Sequence, residues 1–152
     1  MSEDLYRLVY YSRNAMAGNT DTLAAAISSI LAKSQINNQR VGVTGALMFN
    51  SGCFAQVLEG SRSAVEEVFE RIQQDERHGE VSLLAFDPAP SRAFESWSMG
   101  FVGASVEDAA RYGAIVQKSG FDPARMTGEA IFETLHRLAL EEEHALLKAV
   151  ET

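Results

Sequence analysis

The sequence predicts an α+β fold with the ferredoxin-like βαββαβ order: a sheet with an extra strand, two helices on one face and C-terminal helices on the other. Three observations carry this expectation. Strand-like and helix-like segments follow one another as strand, helix, strand, strand, helix, strand. The middle two strands are separated only by Asn50-Ser51-Gly52, short enough for a hairpin. Each of the two helical segments carries one apolar stripe, which suits a helix lying on one face of a sheet.

The first strand is Leu5–Ser12, "LYRLVYYS", rich in aromatic and aliphatic residues. A polar loop, "RNAMAGN", follows, and Asn19 or Thr20 offers a helix cap. Leu23, Ile27, Ile30 and Leu31 recur at helical spacing, predicting a helix from Asp21 to about Gln35 that "INNQRVG" ends. Val43–Phe49 and Cys53–Glu59 are the hairpin strands. Ser63-Ala64-Val65-Glu66 has capping-box spacing, and Val65, Val68, Phe69 and Ile72 form the stripe of a helix reaching about Asp75. Val81–Phe86 is the fourth strand, "DPAPSR" breaks it, and Trp97–Val102 is the extra strand. Val106–Lys118 reads as a helix and "SGFDP" turns the chain. Thr127 caps a last helix to about Val150, with Phe132, Leu135, Leu138, Leu146 and Leu147 apolar and "EEEH" solvated. The C-terminal helices are expected to close the sheet face that the first two leave open.

Composition narrows the function classes. The chain has 152 residues, 46% of them hydrophobic, most simply one domain with a sizeable core. A formal charge of −8 argues against nucleic acid or an anionic membrane as a main partner, since both need basic patches. The single cysteine, Cys53, excludes an intrachain disulfide framework and offers no zinc spacing. The opening "MSEDLYRLVY" is acidic where a signal peptide would be basic, and no apolar run reaches the length of a membrane span. The expected setting is soluble and cytoplasmic.

Gln56 raises the main chemical question. Phe54, Gln56 and Leu58 share one face of a strand, and a buried amide lacking partners costs about 1–3 kcal/mol. The predicted fold places this strand beside the one that carries Tyr10. A Tyr–Gln hydrogen bond stabilising the core is one reading; a pair facing a heteroaromatic ligand between the two helices is the other. Asn37-Asn38 divides the same way, between ending the helix in a left-handed conformation and presenting an amide to a ligand carbonyl. "QQDERHG" holds Asp75, Arg77 and His78, either a solvated charge cluster or a phosphate site. His136 and His144 are eight residues apart, too far for the usual metal pair on one helix, so no metal is expected. Trp97 alone would be a core anchor, Cys53 a small strand-end residue, and Glu59 and Glu66 form no recognisable acid–base pair.

Taken together and in order, "LYRLVYYS", "NNQRVGVTGALMF", "FAQVLEG", "VFERIQQDERH" and "FESWSMGF" resemble the BLUF family, blue-light photoreceptor domains that bind FAD. The resemblance covers about residues 4–102. It implies a photosensor domain over residues 1–102 and a C-terminal helical extension over 103–152, as in short BLUF proteins. By the same resemblance Tyr10 matches the photoactive tyrosine and Gln56 the switching glutamine. Asn38 matches the asparagine on the polar edge of the isoalloxazine, with Asn37 a second contact. Ile30 matches an apolar helix position packed on the flavin. Arg71, Asp75, Arg77 and His78 match the segment flanking the ribityl and phosphate part. Trp97 and Met99 match the pair near the flavin whose mobility carries the signal. The family implies light-driven electron transfer from Tyr10, proton movement through Gln56, and a red-shifted state with a stronger hydrogen bond to the flavin carbonyl. It further implies signalling to a downstream protein, a homodimer or larger ring, and no enzymatic turnover.

Two other classes remain open at this level. A small flavin-dependent reductase is one, although no GxGxxG nicotinamide motif is present. A ligand-binding or assembly module without photochemistry is the other.

Overall fold

The computed structural model describes residues 4–14, 20–50, 53–74, 78–94, 100–101 and 127–151. Five strands are β1 (Leu5–Asn14), β2 (Thr44–Asn50), β3 (Cys53–Ser61), β4 (His78–Pro88) and β5 (Gly100–Phe101). Among the described residues three helices are α1 (Thr20–Val41), α2 (Arg62–Gln74) and α3 (Gly128–Glu151). The sheet order is β4-β1-β3-β2-β5, so β1 and β3 take the centre, as the ferredoxin-like order requires. β1 pairs antiparallel with β3 and β4, β2 pairs antiparallel with β3, and β5 adds in parallel to β2.

Strand alternation divides the core into two layers. Leu8, Tyr10, Leu47, Phe54 and Leu58 share one cluster with Ile27 and Ile30 of α1 and Val65 and Val68 of α2. Val9, Ala46, Ala55 and Val57 point the other way and pack with Phe94 and with Ile131, Leu135 and Ala139 of α3. Two helices therefore lie on one face as expected, and α3, the last of the expected C-terminal helices, lies on the other. The stripe of α3 centres on Ile131, Leu135 and Ala139, with Phe132 and Leu138 half-buried beside it. The predicted cap is present, the Ala130 N–H donating to Thr127 Oγ1 at 3.1 Å.

A bulge in β4 seats the start of α3. Val9 pairs with Ala85 and Tyr10 with Leu83, so Leu84 is the extra residue. Leu84 and Ala85 both pack on the α3 side. Gly128 lies against them, and a Cβ there would sit 3.0 Å from that of Ala85 and 3.2 Å from that of Leu84.

Several expected boundaries move. The helix expected to stop near Gln35 continues to Val41, so Asn37 and Asn38 lie inside it. Its end is a Schellman motif: Gly42 has φ 74°, its N–H donates to the Gln39 carbonyl at 3.4 Å, and the Val43 N–H donates to the Asn38 carbonyl at 2.9 Å. Glycine takes the left-handed position that asparagine was expected to fill. The second helix begins two residues early, because β3 runs to Ser61 and the helix follows at once. Ser61 Oγ caps it, accepting from the Ala64 N–H at 3.3 Å, while the expected capping residue Ser63 sits in the first turn. Glu66 pairs with Arg62 at 3.0 Å instead of closing a capping box. The fourth strand is longer than Val81–Phe86 because it pairs along nearly all of β1. Of the expected fifth strand, Gly100 and Phe101 are described, whereas the helix expected over Val106–Lys118 lies outside the described residues.

Candidate functional site

The sheet face beneath α1 and α2 carries one buried polar pair. Tyr10 and Gln56 are direct partners across β1 and β3, and the Tyr10 hydroxyl donates to Gln56 Oε1. Their register follows from the strand pattern: a one-residue slip would carry Phe54 and Leu58 out of the same core. On its other side Gln56 is paired with Leu47 of β2, and Leu47 with Phe101 of β5. Leu83, Tyr10, Gln56, Leu47 and Phe101 thus form one row across all five strands. Phe69 of α2 packs on Tyr10, with ring centroids 5.5 Å apart.

Asn38 reaches this layer from α1. At about 100° per residue it lies about 20° around the helix from Ile27 and from Leu31, on the apolar stripe. It is 1% exposed, Gln56 3% and Tyr10 0%. The Schellman hydrogen bond to its carbonyl holds its backbone while its side chain remains on the stripe. Asn37, one position round the helix, is half-buried. Ile30 is buried in the same cluster. Ser12, two residues past Tyr10 on the same strand face, is fully buried, a polar neighbour the sequence reading missed.

Of the residues assigned to a phosphate end, Arg71 and the strand position of His78 are described. Arg71 is exposed in the last turn of α2 and donates to Glu67 Oε1 at 2.9 Å. His78 opens β4 opposite Asn14. Asp75 and Arg77, like Trp97 and Met99, lie outside the described residues. Among the described residues no cluster of side chains suits a metal ion, and no helix is long and apolar enough to cross a membrane.

The donor set fits a flavin. A fused aromatic ring with a polar edge needs apolar walls and a few amide-type groups aimed at that edge. Ile27, Ile30, Val65 and Phe69 supply apolar surface on α1 and α2, and Asn38 and Gln56 are amides, donor and acceptor at once. Tyr10 adds an oxidisable phenol bonded to one of them.

A second polar centre, on the opposite face, was not anticipated. Glu59 is fully buried on β3 and accepts hydrogen bonds from Arg7 Nε at 3.0 Å, from the Ala93 N–H at 2.9 Å and from the Phe94 N–H at 2.9 Å. Arg92 reaches the Glu59 carbonyl at 3.1 Å, Thr44 Oγ1 at 2.9 Å and the Gly42 carbonyl at 2.8 Å. The signal was available: an acidic residue within an apolar strand raises the same question as Gln56.

A profile of the BLUF family, described as sensors of blue-light using FAD, matches residues 5–100. The photoactivated adenylate cyclase subunit beta of Euglena gracilis is 32% identical over 96 residues, 63% of this chain and 11% of that protein. The blue light- and temperature-regulated antirepressor BluF of Escherichia coli (strain K12) is 42% identical over 57 residues, 38% of this chain and 14% of that protein. The chain therefore spans about a tenth of the length of the cyclase it matches. The dark-state structure of BlrB, a BLUF protein, superposes with a TM-score of 0.72 at 30% identity, covering 93% of this chain and 99% of that one.

Proposed function

The chain belongs to the BLUF family, sensors of blue-light using FAD, and on that premise we propose that it holds FAD between α1 and α2 and registers illumination through Tyr10 and Gln56. The observation that carries this reading is the buried hydrogen bond from the Tyr10 hydroxyl to Gln56 on the sheet face beneath those helices. Asn38 and Gln56 would hold the polar edge of the ring, with Asn37 a second contact, and Ile30 would pack on it. Arg71, Asp75, Arg77 and His78 would flank the ribityl and phosphate part.

Bound FAD would supply the absorption of blue light and, once excited, the oxidising power to take up an electron from Tyr10. The rest is the work of the chain. Losing an electron makes the Tyr10 hydroxyl strongly acidic, and its hydrogen bond directs the proton onto Gln56. The Gln56 amide, by turning or by changing tautomer, exchanges donor for acceptor toward the ring. Burial of the pair keeps bulk water from supplying competing protons. When both the electron and a proton have returned to Tyr10, the altered Gln56 hydrogen bond remains as the stored signal and decays in the dark.

The relatives' names couple light to an adenylate cyclase or to an antirepressor. For this chain we propose a sensor without turnover. Residues 1–102 form the photosensor, and the helical segment beyond them carries the signal to a partner protein or an interface between copies. The direct test is the absorption spectrum of the purified protein before and after blue light. A flavin spectrum that shifts red and relaxes in the dark is expected, with FAD released on denaturation. Colourless protein that takes up no FAD, or yellow protein indifferent to light, would remove this function.

A further inference from the structure

Glu59 stands where two structural units meet. It is three residues beyond Gln56 on β3, on the opposite face of the sheet. Its carboxylate is the acceptor for two consecutive backbone N–H groups, Ala93 and Phe94, and for the Arg7 guanidinium. Arg7 also donates to the Ser91 carbonyl at 3.0 Å. The segment 91–94, immediately before Trp97 and Met99 in the chain, is thus tied to β3 and β1 by the Glu59 carboxylate and Arg7, and anchored separately by Arg92 to the Glu59 and Gly42 carbonyls and to Thr44. Hydrogen bonds to an ionised group are the strong kind, and low dielectric strengthens them further.

The same groups touch α3. The Arg7 guanidinium carbon lies 4.0 Å from the centroid of the Phe132 ring. Phe94, 1% exposed, meets Phe132 edge-on with centroids 6.2 Å apart and His136 edge-on at 5.8 Å. Phe132 and His136 stack at 5.6 Å. The contacts in this chain of groups are directional: hydrogen bonds to the carboxylate, a cation over a ring face, and edge-on or stacked rings.

We propose that Glu59 is a positioning residue for output: it couples the strand that carries Gln56 to α3 by holding Arg7 and the 91–94 segment against Phe132 and His136. The inference rests on the flavin reading of the opposite face. A backbone displacement at Gln56 is passed along β3 to Glu59, and the carboxylate moves both groups that α3 packs on. No contact of Glu59 with the flavin is involved.

The test uses the full chain loaded with FAD and compares amide exchange in light and dark over residues 128–140. Glu59→Gln keeps the size of the side chain but turns an amide NH2 toward N–H donors, so one acceptor is lost. Phe132→Leu leaves Glu59 intact, removes the ring between Arg7 and Phe94, and decides the matter if Glu59→Gln does not fold. Both variants are expected to keep the red shift and to lose the light-minus-dark difference over 128–140. A residue of merely structural importance would raise exchange in both states and leave the difference in place. A wild-type difference surviving in Phe132→Leu, or in folded Glu59→Gln, overturns the coupling while leaving the flavin reading intact. Loss of the red shift in either variant also overturns it, because the residue would then act on the flavin itself. A wild-type protein with no red shift defeats the flavin reading and this inference with it.

Discussion

Gln56 and Glu59 lie three residues apart on β3, yet one faces the layer under α1 and α2 and the other faces α3. Alternation along a strand makes this unavoidable for residues an odd number apart. One strand thereby presents a buried amide to one side and a paired carboxylate to the other. The amide is donor and acceptor at once, and the carboxylate is tied to Arg7 and to two backbone groups of the 91–94 segment.

Tyr10→Phe and Gln56→Leu are each expected to retain FAD and abolish the red shift, because one removes the oxidisable hydroxyl and the other the amide. Each also leaves its buried partner short of a hydrogen bond, which costs about 1–3 kcal/mol of stability. The double variant replaces both polar groups and is expected to lose less than the sum of the two. Chemical denaturation of the four proteins, alongside their light-minus-dark spectra, checks both statements. A normal photocycle in either single variant would show that the pair does not carry the photochemistry.

Asn38→Ala is expected to weaken FAD binding while leaving α1 intact. The helix end depends on the Asn38 carbonyl and on Gly42, both of which the substitution preserves. Losing one amide to a polar ring edge corresponds to about 0.5–1.5 kcal/mol, or roughly a twofold to thirteenfold rise in Kd. Titration of apoprotein with FAD, followed by flavin fluorescence, measures this. Unchanged affinity would remove Asn38 from the site.

Much of this arrangement was legible in the sequence because alternation and helical spacing are local. Phe54-Ala55-Gln56-Val57-Leu58 places an amide on a core face, and Tyr10 is its natural partner once the strand order is fixed. The helix ends were less legible. Asn37-Asn38 has terminating chemistry, but a glycine further on accepts the left-handed conformation at less cost, and the helix continues until it reaches Gly42. Ser63 has capping chemistry too, but the paired strand extends to Ser61, and the helix takes its cap there. Glu59 was half legible: an acidic residue in an apolar strand signals a buried partner, but its partners Ala93 and Phe94 contribute backbone N–H groups, which side-chain patterns do not record.

Gly42→Ala is expected to destabilise the fold by about 1 kcal/mol. The φ of 74° costs an L-residue about 1–2 kcal/mol, partly offset by the lower entropy of an unfolded chain carrying alanine. No atom lies within 4 Å of the added Cβ, so the penalty is one of backbone conformation alone. Gly42→Asn should cost less, since asparagine tolerates the left-handed region better. Urea midpoints of the two variants give the order, and an alanine variant as stable as the asparagine one would contradict it.

The last prediction concerns Met99. It precedes Phe101 by two residues, and Phe101 is paired with Leu47, the direct neighbour of Gln56. A changed hydrogen bond at Gln56 is worth only about 0.5–1.5 kcal/mol net, which can bias a contact with two arrangements but cannot refold a domain. The affected contact must therefore lie close to Gln56 and also reach the C-terminal helix. β5, which Met99 directly precedes in the chain, meets both conditions, since it adjoins β2 and follows the segment bound to Glu59. Met99→Ala shortens a flexible side chain without touching Tyr10 or Gln56. It is expected to keep most of the red shift and to weaken the light-dependent change in proteolysis and amide exchange across α3. Full retention of that change in Met99→Ala would take Met99 out of the output route, and identical exchange in light and dark throughout α3 of the wild type would remove the route itself.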